Sequence, residues 1–468
     1  MSDQVLCYLS LHELSAQLHA GKISSAEVTR ATLDRIRAHS NLNAYITVMD
    51  EAATRAAARA DTELEARRSR GPLHGVPVAV KDLCYTKGIR TTCASGVLRD
   101  WVPNESATVV ERLEAAGAVI VGKLHMTEFA VAWYHPDFPA PKNPWGADLW
   151  PGASSSGSGA ATAAGLCYGS LGSDTGGSIR LPSAACGIVG LKPTWGRVSR
   201  YGVYPLGESL DHVGPMTRSV TDAALMLAAI AGYDSRDGTS LAAPVEEYSA
   251  TIEQGVSGLR IGLDEALLSK GASNAVNSAV IDAVRMLEKL GARIVKVSIP
   301  DILPALGAWS VLCLGDAVAA HEKTYPARAA EYGAGFRSFL ELGSQLRAQD
   351  YAKAQMVRES FANQFQMIYD QIDVLACPST GQTGLPVTAL PDDARFLMNV
   401  DPEGLLRFTA PFDISRNPTL SLPCGKSPSG PPPSLQLIGR LLGEGTILRA
   451  GRAFERATDW NQQRPPIN

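Results

Sequence analysis

Between Asp148 and Asp174 the chain carries no charged residue, and of those 25 positions six are glycine and six are serine. A membrane-spanning helix needs about 20 predominantly apolar residues, so this composition excludes one here. Read alone, the first half of the segment is a flexible Gly/Ser linker. Two features oppose that reading. Pro151-Gly-Ala-Ser-Ser-Ser-Gly-Ser-Gly-Ala160 runs unbroken into the helix-forming Ala160-Ala-Thr-Ala-Ala164, and Gly172-Ser-Asp-Thr-Gly-Gly-Ser-Ile-Arg180 sets Thr-Gly-Gly-Ser just before an apolar run. Glycines let successive backbone N–H groups converge on one point and form an anion nest. A serine closing such a turn stands beside those donors, the arrangement acyl transfer needs.

The rest of the chain alternates strand and helix. Ser10-Leu-His-Glu13 and Ser24-Ser-Ala-Glu27 are capping boxes that predict two helices within 10–40. Asp50 to Arg70 reads as a helix, Gly75-Val-Pro-Val-Ala-Val-Lys81 as a buried strand ending at the lysine, Ser106 to Ala116 as a helix, and Ala118 to Gly122 as a strand. The rhythm resumes with a helix over 220–231, a strand over 259–262, a helix over 274–290 and a strand over 292–297. Residues 304–370 read as mostly helical, and Asp373 to Cys377 and Leu435 to Ile438 as short strands. With 468 residues, 45% of them apolar, and no low-complexity linker, one large α/β domain is expected. Its expected subdivision is an N-terminal helical segment (1–70), a core (71–232), a variable helix-rich elaboration (250–400) and a C-terminal return (401–468).

Several chemistries find no support. Lys and Arg total 43 against 47 Asp and Glu, a net charge of −4, so no basic footprint points to nucleic acid or an anionic membrane. The eight cysteines form no C-x-x-C pair and the eight histidines no ligand spacing, which argues against a disulfide framework and a structural zinc site. No G-x-S-x-G elbow accompanies any histidine. A serine nucleophile then needs another base, and Lys81, at the end of an apolar strand, is the available one. Burial lowers a lysine pKa and leaves a neutral amine near pH 7. Met1-Ser-Asp-Gln lacks a cationic n-region and an apolar h-region, so a cytoplasmic location is expected.

Gly75 to Asp82, Pro151 to Ala160, Gly172 to Arg180 and Gly187-Ile-Val-Gly-Leu-Lys-Pro-Thr194 together resemble the amidase signature family of serine amidases. The likeness continues in Ser209 to Pro215, Phe408-Thr-Ala-Pro-Phe412 and Leu435 to Gly439, so it covers nearly the whole chain, loosely over 300–400. Ala153 and Ser156 stand where the family commonly has glycine. The resemblance implies a mixed, mostly parallel twisted sheet covered by helices on both faces, and a Ser–cis-Ser–Lys triad. By motif position the lysine is Lys81, the nucleophile Ser178 and the bridging serine Ser154, with Ser155 and Ser156 beside it as alternatives. The oxyanion hole is implied at the backbone amides of Thr175, Gly176, Gly177 and Ser178. Asp174 and Arg180 read as a buried charge pair holding the turn.

The implied activity is hydrolysis of a carboxylic amide through an acyl-enzyme, with no metal or cofactor. The implied partner is a small-molecule amide, and the implied assembly a homodimer. The alternatives are the amidase component of a tRNA-dependent amidotransferase, which takes ammonia from glutamine, an esterase or ureide hydrolase on the same triad, and a non-catalytic binding protein. The tail Thr446 to Trp460 resembles that of stand-alone amidases. Trp133, Tyr134 and Phe138, with the 304–400 region, are the candidates for an apolar wall around an aryl group.

Overall fold

Capping sets the first helices. Ser10 and Glu13 exchange both capping contacts before helix Leu11–His19, and the Ser24 hydroxyl accepts from the Glu27 amide before helix Ser25–Ala38. Their leucine, valine and isoleucine faces are buried. The computed structural model describes residues 3–388, 404–427 and 430–467.

Among these residues, strands β1 (Tyr45–Val48), β2 (Pro77–Lys81), β3 (Val119–Leu124), β4 (Gly169–Asp174), β5 (Val189–Lys192), β6 (His212–Thr217), β7 (Arg260–Leu263), β8 (Arg293–Lys296), β9 (Val374–Pro378), β10 (Thr419–Pro423) and β11 (Ser434–Gly439) form one 11-stranded sheet. Its order is β1-β3-β2-β4-β6-β5-β10-β11-β9-β7-β8. The sheet is mixed. Parallel blocks β3-β2-β4 and β9-β7-β8 flank an antiparallel centre. The sequence reading places β2, β3, β7, β8, β9 and β11 within a residue or two. It misses β1, β5, β6 and β10, and also β4, whose Gly-Ser-Leu-Gly-Ser-Asp has no alternation of apolar and polar side chains because both faces are buried.

The uncharged segment is interior backbone at close quarters. Helix Ser156–Ala163 is buried at every residue. A Cβ at Gly157 would lie 2.5 Å from both the Ala44 oxygen and the His125 nitrogen, so only glycine lets this helix settle against its neighbours. The helical stretch expected over 304–370 is present as Ile302–Ala320, Ala334–Gly343 and Ala348–Met367. Residues 389–400 of the expected elaboration lie outside the described residues. Helix Ile302–Ala320 is long and apolar enough to cross a membrane by length and composition. Here it packs against helices Ala348–Met367 and Ala410–Ile414, with Trp309, Leu312, Cys313 and Leu314 buried, as a core helix does.

Candidate active site

Parallel pairing brings the chemistry together. β2 runs beside β4, Val80 opposite Leu171, so Lys81 at the end of one strand and the 174–178 turn at the end of the other emerge at the same sheet edge. Lys81 is fully buried. Its Nζ donates to Ser154 Oγ at 2.7 Å, Ser155 Oγ at 2.9 Å and Ser173 Oγ at 2.9 Å. It forms no ion pair among the described residues. Burial therefore dominates and lowers its pKa to about 7, against the smaller opposing pull of Cys84, Asp174 and Asp211.

Ser154 is fully buried and follows a cis Ala153–Ser154 peptide bond. The Ser155 amide donates to the Ser178 carbonyl at 3.3 Å, which ties the two serine segments backbone to backbone. Ser178 is 8% exposed and opens onto a cavity. Its hydroxyl has no hydrogen-bond partner among the described residues.

The 174–178 turn is held by one carboxylate. Asp174 accepts from the amides of Gly177 at 2.6 Å and Ile179 at 3.0 Å, and from Arg180 Nε and Nη2 at 2.9 and 2.8 Å. Arg180 also donates to Asp413 at 2.6 Å and to the Thr409 carbonyl at 2.9 Å. Burial pushes the Asp174 carboxyl upward, but Arg180, Lys192 and the Ile179 amide together outweigh it and hold the group well below the ordinary carboxylate range. The charge pair read from sequence is thus a three-member network with Asp413. Gly177 has φ +134, a backbone conformation only glycine adopts without strain.

The sequence reading counts the Gly177 amide among four oxyanion donors. Here Asp174 engages it, because the carboxylate closes the turn from within. The amides of Thr175, Gly176 and Ser178 have no acceptor among the described residues. Thr175 Oγ1 donates to Asp211 at 2.6 Å, which steadies the start of the turn.

The cavity at Ser178 has a volume of about 50 Å³. Ala130, Val131, Ala132, Trp150, Leu181, Trp309 and Phe339 are among the residues that line it. Three aromatic residues, Trp150, Trp309 and Phe339, are among the lining residues, and the last two lie in the 304–400 region. Trp133 packs against Phe339 (ring centroids 6.5 Å apart), and Tyr134 and Phe138 pack edge-on against His125 at 5.9 and 6.4 Å. None of the three is among the described lining residues. The sequence reading names the 304–400 region but neither Trp309 nor Phe339 within it, and it does not name Trp150, because tertiary packing, not a local motif, delivers these rings. No cavity-lining side chain among the described residues is a carboxylate, lysine, arginine or histidine.

Comparison with known proteins identifies the family. The Amidase family model matches residues 27–448. AmiD of Mycobacterium tuberculosis, an amidase by name, is 41% identical, with 100% of this chain and 98% of that protein covered. A glutamyl-tRNA(Gln) amidotransferase component from Geobacter sp. (strain M21) is 40% identical, with 98% and 99% covered. The X-ray structure of native peptide amidase from Stenotrophomonas maltophilia superposes with a TM-score of 0.84 at 29% identity, covering 98% of both chains. The chain belongs to the amidase family and is a hydrolase-type enzyme acting on amides.

Proposed function

We propose that this amidase works through an acyl-enzyme on Ser178, with Ser154 as the bridging acid–base and Lys81 as the terminal base. One observation carries the reading: a buried lysine, unpaired with any carboxylate among the described residues and titrating near neutrality, sits 2.7 Å from Ser154 Oγ. A neutral amine has two hydrogens and one lone pair. Ser155 already donates to the Ser173 carbonyl at 3.1 Å and accepts the Ser173 amide at 3.2 Å, so its oxygen is suited to accept from Lys81. Ser173 Oγ takes the second hydrogen, and the lone pair is left for the Ser154 proton. This accounting favours Ser154 over Ser155 as the bridge; Ser156 Oγ has no contact with Lys81 among the described residues.

In the proposed cycle Ser154 passes its proton to Lys81 as it takes one from Ser178, and Ser178 Oγ attacks the amide carbon. The amides of Thr175, Gly176 and Ser178 receive the oxyanion, while Gly177 serves the turn through Asp174. The relay returns a proton to the leaving nitrogen, since an amine leaves poorly unless protonated. Water then attacks the acyl-enzyme by the same path and releases the carboxylate. The Ser154–Ser178 contact closes with substrate in place, as catalytic hydrogen bonds do.

The described lining supports an uncharged apolar acyl group, aryl or aliphatic. Glutamine would bring an ammonium and a carboxylate to a wall with no charged side chain to receive them. The 40% identity with an amidotransferase component is the observation that favours the second reading, so glutamine belongs in the test. The eight free, buried cysteines suit a reducing compartment, and the proposal places a homodimer in the cytoplasm. Ser178→Ala is expected to fold and to lose at least about a thousandfold in amide turnover, as removal of such a nucleophile does. Hydrophobic amides are expected to outpace glutamine in the parent enzyme. Near-normal turnover by Ser178→Ala would place the nucleophile elsewhere.

A further inference from the structure

A trans peptide unit points its carbonyl and the following N–H in opposite directions. Whatever grips a carbonyl therefore aims the next amide. In the turn before Ser178 these grips can be named. Trp309 Nε1–H donates to the Thr175 carbonyl at 2.7 Å, and the Gly176 amide shares that peptide plane. Thr409 Oγ1–H donates to the Gly176 carbonyl at 2.6 Å, on the plane whose amide goes to Asp174. The Leu181 amide donates to the Gly177 carbonyl at 2.7 Å, and the Ser178 amide lies on its far side.

Trp309 differs from the other grips. It comes from the middle of helix Ile302–Ala320, outside every motif that carries the family resemblance, and its ring also lines the cavity. That ring lies against the turn itself. A Cβ at Gly176 would come within 2.4 Å of Trp309 Cζ2 and 2.7 Å of Cε2, so glycine is required there for space. The indole thus lies close against Gly176 on the side of the ring that carries Nε1, and holds the Thr175–Gly176 peptide plane by its N–H.

We infer that Trp309 is the positioning residue of the oxyanion site: its indole N–H aims the Gly176 amide at the developing oxyanion while its ring bounds the acyl cavity. The inference rests on the proposed role of Ser178. It separates two functions of one side chain, the ring acting on substrate affinity and the N–H on turnover.

Trp309→Phe keeps an aromatic wall and deletes the N–H. Complete removal of an oxyanion donor costs on the order of 10²–10³ in kcat, and a loosely aimed donor costs part of that. The expected result is a fall in kcat of about tenfold or more, for an amide and for an activated ester alike, with KM changed by less than about threefold. A trifluoromethyl ketone, which forms an oxyanion on Ser178, should lose affinity by a similar factor, whereas a neutral ground-state amide analogue should not. The pH midpoint of the rate should stay in place, since Lys81 is untouched. Site-specific benzothienylalanine at 309, which replaces the N–H by sulfur in the same ring shape, should reproduce the loss and covers the case in which the phenylalanine variant fails to fold. Unchanged kcat in either folded variant, or a rise in KM alone, overturns the inference. Ser178→Ala assayed alongside separates the two levels: an active Ser178→Ala enzyme defeats the underlying mechanism, whereas an inactive one beside a fully active Trp309→Phe defeats only the role given to Trp309.

Discussion

Arg180 meets Asp174 with two nearly parallel contacts, Nε on Oδ2 at 2.9 Å and Nη2 on Oδ1 at 2.8 Å, and both side chains are wholly buried. Removing one member of a buried pair leaves the other charge uncompensated, at a typical cost of about 3–5 kcal/mol. Asp174→Ala leaves Arg180 paired with Asp413, so it should cost less than that, but it also frees the Gly177 and Ile179 amides. We expect a drop in the thermal midpoint together with loss of amidase activity. Arg180→Lys keeps the charge but not the two-pronged geometry, and should lose most of the activity while retaining more of the stability. An Asp174→Ala protein with the parent's midpoint and turnover would mean that the clasp does not hold the turn.

The rate should follow the titration of Lys81. With its pKa lowered to about 7 by burial, the amine is protonated and idle below that value and neutral above it. kcat/KM for an amide should therefore rise through neutral pH and level off above it. Lys81→Arg keeps the cation and cannot accept a proton, because guanidinium stays charged in proteins. It should be as inactive toward amides as Lys81→Ala, with a p-nitrophenyl ester less affected because its leaving group needs no proton. Retention of most amide activity by Lys81→Arg would reduce the lysine to an electrostatic support.

The same titration has a stability signature. In the unfolded chain Lys81 carries its proton up to its ordinary pKa of about 10.4; in the fold it gives the proton up near 7. Between those values the unfolded state binds more protons, so this group's contribution to stability becomes more favourable as pH rises through that window. Lys81→Met deletes that dependence. The thermal midpoint of the parent relative to Lys81→Met should climb from pH 7 toward pH 10 and stay flat below pH 6. A difference independent of pH would show that the lysine titrates normally.

What the sequence alone discloses divides by how each residue reaches the site. Lys81, Ser154 and Ser178 lie in contiguous motifs whose strands and turns are local, and the structure brings all three to one sheet edge. Trp309, Trp150 and Phe339 cannot be found this way. Helix Ile302–Ala320 is apolar nearly all round, so no periodicity marks the face that meets the turn. The neighbouring cluster at 133–138 offers more rings in a shorter span, yet His125 takes two of them. β4 escapes for the opposite reason: a strand of glycines and serines carries no pattern at all.

The turn that bears Ser178 is finished from the far end of the chain: Thr409 takes the Gly176 carbonyl and Asp413 takes Arg180, each across 233 positions of sequence. During synthesis, therefore, Lys81, Ser154 and Ser178 all leave the ribosome well before the residues that complete the turn. A nascent or prematurely terminated chain ending short of Thr409 holds the whole nucleophilic set without the contacts that shape it. Such a fragment has no finished turn with which to cleave amides while it is still being made.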